Sequence, residues 1–206
     1  MSKSYKIAVI GSGPTGASTA LFLNQKGFDV KVFEKKAIPK PIGAGFMLQP
    51  TGMLMLQKLG LLDKIAKRAT PINRLYGVNE NNKEVLDLRF DYLKNFKHSL
   101  GIHRGLIFKV LHEELNKKSI SLEVGNEITS FRKTSDKIIP INSNNEKLGE
   151  FDLLVIADGS RSKLRGKTSI KFKKHWYDWL AMWYVLEDTD FKMGNKIYHK
   201  YEKTKK

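Results

Sequence analysis

Hydrophobic and polar positions along this chain follow first one period and then another, and each change marks an element. Ile7, Ala8, Val9 and Ile10 form an unbroken apolar run, the pattern of a short parallel strand buried on both faces. A glycine-rich turn, a helix with small residues at Ala17 and Ala20, and a second strand over 29–33 follow in order. Residues 35–50, KKAIPKPIGAGFMLQP, break both periods, and their prolines and glycines before Phe46 exclude a regular helix. A loop of this length is expected to be functional. Pro50 and Thr51 then open a helix that Gly60 stops, with Met53, Leu54, Met55 and Leu56 as packing residues, and 61–69 form a second amphipathic turn set. Alternation at Val85, Leu86 and Leu88, with a polar turn at Glu80, Asn81 and Asn82, predicts a hairpin over 72–90. Leu106, Val110, Leu111 and Leu115 recur at helical spacing. Short strands are expected at 119–124, 127–132 and 137–141, a buried strand at 151–156, and a long aromatic strand over 176–186, WYDWLAMWYVL. The tail from Lys200 reads as a solvated, frayed end.

The first turn carries the clearest chemistry. Gly11, Gly13 and Gly16 have G-x-G-x-x-G spacing. Gly11 permits the tight turn, Gly13 lets backbone approach a pyrophosphate, and Gly16 lets the helix pack closely on the sheet. Unpaired N–H groups and the helix dipole favour an anion at this point. Glu34 ends the second strand, where a carboxylate suits a ribose hydroxyl and repels a 2′-phosphate, so the pocket is expected to take FAD or NAD and not NADP. Gly43, Ala44 and Gly45 leave room for a flat ring close to backbone. Arg104 opens the helix at 106–118, where the dipole disfavours a cation. An anionic partner resolves that conflict, and a solvated surface arginine is the other reading. Asp158-Gly159 follows a buried strand at the end where ligands of open α/β sheets bind, or serves as an ordinary cap.

Composition narrows the classes. The absence of cysteine excludes disulfides, thiolate catalysis, cysteine-ligated metal and a cysteinyl-flavin link, so redox chemistry must come from a bound cofactor. The five histidines, His98, His103, His112, His175 and His199, show no metal-ligand spacing, and no metal site is expected. The net charge of +16 is mostly lysine and dispersed. Without arginine forks or a recognition helix it does not read as a nucleic-acid surface. No apolar run reaches the roughly 18 residues of a membrane span and the N-terminus has no signal-peptide pattern, so a cytoplasmic location is expected.

Three segments resemble the FAD-dependent aromatic hydroxylases, the group A flavoprotein monooxygenases that include para-hydroxybenzoate hydroxylase. KPIGAGFMLQPTGMLMLQKLGLLDKI from Lys40 resembles the family's flavin-approach loop. GIHRGLIFKVLHEEL from Gly101 resembles its helix opened by an FAD-contacting arginine. DLLVIADGSRSKLR from Asp152 resembles its Asp-Gly motif, which serves FAD and NAD(P)H. The resemblance implies an α/β fold: a Rossmann-type parallel-sheet FAD-binding domain with an inserted, incomplete antiparallel substrate-domain sheet. It assigns 1–71 and 98–170 to the FAD-binding domain, with 72–97 and 171–206 as strands of a partial substrate domain. The implied cofactor-binding set is Gly11, Gly13, Pro14, Thr15, Gly16, Glu34, Lys35, Lys40, Gly43, Ala44, Gly45, Arg104, Asp158 and Gly159, and no catalytic side chain is assigned. The implied activity is hydroxylation of a small, aromatic-type substrate with FAD, NAD(P)H and O2. In this family an arginine commonly stands where the chain has Lys40, and a Gly-Asp pair lies beyond the Asp-Gly motif, whereas no Gly-Asp dipeptide occurs in this sequence. The chain is therefore expected to be truncated, with a second chain supplying the missing half as a candidate partner. The alternatives are a noncatalytic or split-gene FAD-binding fragment and a flavin-dependent reductase of the same superfamily.

Overall fold

A computed structural model describes residues 5–41, 43–92, 96–177, 179, 181, 182, 184, 186, 187, 189, 190 and 194–203. In chain order the elements are β1 (Lys6–Ile10), α1 (Pro14–Gln25), β2 (Asp29–Glu34), β3 (Gly45–Leu48), α2 (Pro50–Lys58), α3 (Leu62–Ala66), β4 (Thr70–Ile72), β5 (Arg74–Asn79) and β6 (Glu84–Arg89). They continue with β7 (Ser99–His103), α4 (Arg104–Lys117), β8 (Ser121–Val124), β9 (Ile128–Lys133), β10 (Ile138–Asn142), β11 (Leu153–Ile156) and β12 (Lys196–Tyr201). Two compact units divide the chain: Met1–Pro41 with Ile107–Tyr177, and Ile42–Leu106 with Asp178–Lys206.

The first unit is built on a four-stranded sheet in the order β11-β1-β2-β8, with all three pairings parallel. The apolar run of β1 is buried from Ile7 to Ile10 because it lies between two neighbours and under α1. Small residues set that packing, since Gly16, Ala17 and Ala20 are all buried in α1. Ala8, Ile10, Phe33, Ile128, Phe151 and Leu164 form a core cluster, in which Phe33 meets Phe151 edge to face at 5.9 Å. The β9–β10 hairpin is antiparallel and Phe151 bridges to Ile138.

The second unit contains two three-stranded sheets, β3-β7-β4 and β12-β5-β6. Its buried positions include Leu48, Met53, Leu56, Leu61, Ile65, Leu100 and Ile102, so of the four expected packing residues of α2 Met53 and Leu56 face the interior, Leu54 is part-buried and Met55 is exposed. Among the described residues no helix is long and apolar enough to cross a membrane.

The fold class agrees with the sequence reading, and so do the hairpin β5–β6, the helices, and the strands β8, β9 and β10; β11 is a strand as expected but not a buried one, since it ends the sheet order and Leu153 is exposed. Three strands went unread. β3 lies inside the segment taken as a loop, and β4 and β7 complete its antiparallel sheet. The aromatic run requires correction: among the described residues of 176–187 none is in a strand. Trp176, Trp179, Met182 and Tyr184 are exposed. Aromatic strand propensity reflects fit to a half-buried pleated surface, and no described surface covers this run. Among the described residues the strand that follows is β12, parallel to β5, so Lys200 and Tyr201 are paired and not frayed.

Candidate functional site

The site begins where β1 ends. β2 lies on one side of β1 and β11 on the other, so the order of crossovers reverses there, and in open α/β sheets ligands bind at such a switch point, beyond the strands' carboxyl ends. Gly11 leaves β1 with φ +99° and its N–H donates to the Phe33 carbonyl at 2.7 Å. A Cβ at Gly11 would stand 2.5 Å from the Ala157 carbonyl oxygen, and one at Gly16 would collide with the Gly11 carbonyl. These two glycines are therefore fixed by packing. Gly13 is different, because among the described residues nothing beyond its chain neighbours lies within 4 Å of where its Cβ would be.

Gly13 caps α1 with no side-chain hydrogen bond, Pro14 takes the first helical position, and the first turn contains no acidic residue. Pro14 and Thr15 are exposed. The helix thus presents backbone donors to open space without a competing negative charge, which suits a pyrophosphate.

Glu34 is half-buried at the end of β2. Its Oε2 accepts the Ser12 N–H and the Ser12 hydroxyl, both at 2.9 Å, and its Oε1 accepts the Lys36 N–H at 3.0 Å. Burial pushes its carboxyl up, but the bonds from Lys36 and Ser12 and the charge of exposed Lys35 outweigh it and hold the carboxyl below the usual glutamate value. A carboxylate offers about four acceptor sites, so capacity remains for one ribose hydroxyl, and Glu34 also organises the turn. That second role was not read from sequence.

Asp158 and Gly159 follow β11. Asp158 is part-buried, Gly159 is exposed at φ +87°, and a Cβ at Gly11 would come within 3.3 Å of Asp158 Cα. The two lie on a cleft of about 250 Å³ shared with Ile156, Ser162, Arg165 and Phe172. The Arg165 guanidinium lies 5.7 Å from the Phe172 ring centre. Leu164, wholly buried in the core cluster, pins this segment to the sheet. Lys40 is exposed.

The remaining candidates belong to the second unit. Gly43 has φ +101°, and its Cβ would lie 3.1 Å from Arg104 Cδ. The Arg104 N–H donates to the Ala44 carbonyl at 3.2 Å, and its guanidinium stands 5.9 Å from the Phe46 ring centre. Gly45 opens β3, and a side chain there would press on the Ile102 carbonyl at 3.2 Å. The structure thus brings Gly43, Ala44 and Arg104 together and keeps the guanidinium exposed. Ser12 and His112 escaped the sequence reading: His112 Nε2 lies 2.8 Å from the Ser12 carbonyl oxygen. The only sequence signal was an imidazole beside the apolar stripe of α4.

A glycine turn at the switch point of a parallel sheet, an acid ending the second strand and an Asp-Gly turn beyond the fourth define a dinucleotide-binding α/β domain. The chain belongs to the FAD-binding family of aromatic hydroxylases, since that family's model, described as a FAD binding domain, matches residues 4–204. It is similar to the 6-hydroxynicotinate 3-monooxygenase of Pseudomonas fluorescens, 28% identical over 169 residues, covering 80% of this chain and 43% of that protein. The 3-hydroxybenzoate 6-hydroxylase of Klebsiella oxytoca is 26% identical over 172 residues, 80% of this chain and 43% of that one. Among solved structures, a tetrameric form of 2-methyl-3-hydroxypyridine-5-carboxylic acid oxygenase superposes with a TM-score of 0.71 at 27% identity, covering 82% of this chain and 43% of that chain. The matched part of the chain therefore spans less than half the length of each of these proteins.

Proposed function

We propose that this chain is the FAD-binding part of a monooxygenase that hydroxylates a small aromatic substrate with NAD(P)H and O2. The observation that carries it is the open, uncapped turn at Gly13 in a chain matching the FAD binding domain model from 4 to 204. The names of the relatives support the reaction class. Bound FAD would supply the redox chemistry, with substrate, NAD(P)H, a proton and O2 giving hydroxylated substrate, NAD(P)+ and water. The chain's own residues bind and orient. Gly11, Gly13, Pro14, Thr15 and Gly16 would hold the pyrophosphate on the amides that open α1, and Glu34 beside Lys35 would accept a hydrogen bond from the adenosine ribose. Asp158 and Gly159 are assigned to the same nucleotide. Gly43, Ala44, Gly45, Arg104 and Lys40 are assigned to the cofactor on the resemblance. The second-unit strands β5, β6 and β12 are assigned to the substrate-domain sheet.

The test is equilibrium titration with FAD, NADH and NADPH. FAD should bind most tightly. Preference for NADPH would overturn the reading, because Glu34 would repel its 2′-phosphate. A second reading, a FAD-binding module without turnover of its own, is supported by the family model, which describes a FAD binding domain. Hydroxylated product formed by the purified polypeptide from a panel of phenols and aromatic acids would exclude it.

A further inference from the structure

His112 stands on α4 with its ring stacked on Phe108, centroids 3.9 Å apart and planes 24° apart. Its Nε2 lies 2.8 Å from the Ser12 carbonyl oxygen. A carbonyl oxygen only accepts, so Nε2 carries the proton. Ser12 is 1% exposed, and both its N–H and its hydroxyl donate to Glu34 Oε2. The residue is thus held by Glu34 from β2 and by His112 from α4.

The Ser12–Gly13 peptide is trans, and in a trans peptide the carbonyl and the following N–H point in opposite directions. Fixing the Ser12 oxygen on the imidazole therefore turns the Gly13 N–H away from α4. Among the described residues no acceptor is assigned to that N–H, and no atom stands within 4 Å of the Gly13 Cβ position. We propose that His112 is a positioning residue for the phosphate turn, its Nε2–H holding the Ser12 carbonyl so that the Gly13 N–H faces an incoming anion. The inference rests on the reading of this turn as a pyrophosphate site. Without the imidazole the peptide is free to rotate, and the donor is no longer presented.

His112→Leu removes the donor and keeps apolar volume. His112→Gln places an amide nitrogen near the position of Nε2, and His112→Asn does not reach it. Backbone amide resonances of ligand-free protein, thermal melting and FAD titration are measured for all three. His112→Leu should move the Ser12 and Gly13 amide resonances and weaken FAD binding about five- to tenfold, the value of one hydrogen bond. His112→Gln should restore both. If His112→Leu fails to fold, the contrast between Gln and Asn decides. Unmoved Gly13 resonances with unchanged affinity would overturn the proposal, and so would Gln and Leu variants that are equally impaired. Wild-type protein that binds no FAD would overturn the nucleotide reading instead, while the ligand-free resonances would still decide the role of His112.

Discussion

The three glycines of the turn do different work, and single substitutions should separate them. Gly13 has φ −62° and ψ 175°, a conformation open to any residue, and among the described residues no atom beyond its chain neighbours lies near its Cβ position. Gly13→Val should therefore cost no more than about 1 kcal/mol of stability, the effect of a poorer helix cap. It should weaken FAD binding at least about tenfold, because the side chain fills the pyrophosphate's space. Gly16→Ala should act on stability as well as on binding: its Cβ meets the Gly11 carbonyl of the same turn, an overpacking that costs about 1–3 kcal/mol. Thermal melts and FAD titrations of the two variants would check that only Gly16→Ala lowers the melting temperature by that much. Glu34 gives a pH prediction. Its carboxyl lies below the ordinary value of 4.5 in the folded chain, so the folded state favours the charged form. The resulting stability is fully present above 4.5 and is lost as pH falls through the lowered folded value. Glu34→Gln should be less stable than wild type at neutral pH, and the gap should close as unfolding is followed below 4.5. A gap independent of pH would show that the bonds from Ser12 and Lys36 do not distinguish carboxylate from amide.

At the scale of elements, the segment after β11 is anchored to the core by Leu164. Leu164 has no exposed surface and packs with Ala8, Ile10, Phe33, Ile128 and Phe151, while Asp158, Gly159 and Arg165 around it border the cleft. Leu164→Ala should cost about 2–5 kcal/mol, the range for a buried leucine. It should also loosen the Asp-Gly turn, visible as faster amide exchange over 158–167. Which elements were legible follows from how each is stabilised. β1, α1 and β2 announce themselves because an apolar run, a glycine turn and a second apolar run are local signals that tertiary packing only reinforces. β3, β4 and β7 were not legible: they are short, and they contain Gly45, Pro71 and Gly101, which lower strand propensity. Their pairing joins residues far apart in sequence. Pro71 is tolerable because β4 is an edge strand. The site divides in the same way. The glycine turn and the acid ending β2 were readable from spacing, whereas the contact from His112 to Ser12 spans 100 positions, and no local pattern encodes it.

At the scale of the whole molecule, two properties oppose each other. The chain carries a net charge of +16, which repels other copies. Trp176, Trp179 and Tyr184 are 66%, 70% and 85% exposed, and uncovered aromatic side chains favour association. The electrostatic term is screened over about 10 Å at 0.1 M salt and about 3 Å at 1 M, while burial of aromatic surface is not weakened by salt in this way. Purified polypeptide should therefore be monomeric at low ionic strength and self-associate as salt is raised, measured by light scattering across a salt series. Replacing Trp176 and Trp179 together with serine should remove the salt-induced species without lowering the melting temperature, because neither ring is part of the buried core. Association that weakens with salt would instead identify charge pairing between copies as its source, and would leave the exposed aromatic run without effect on solution behaviour.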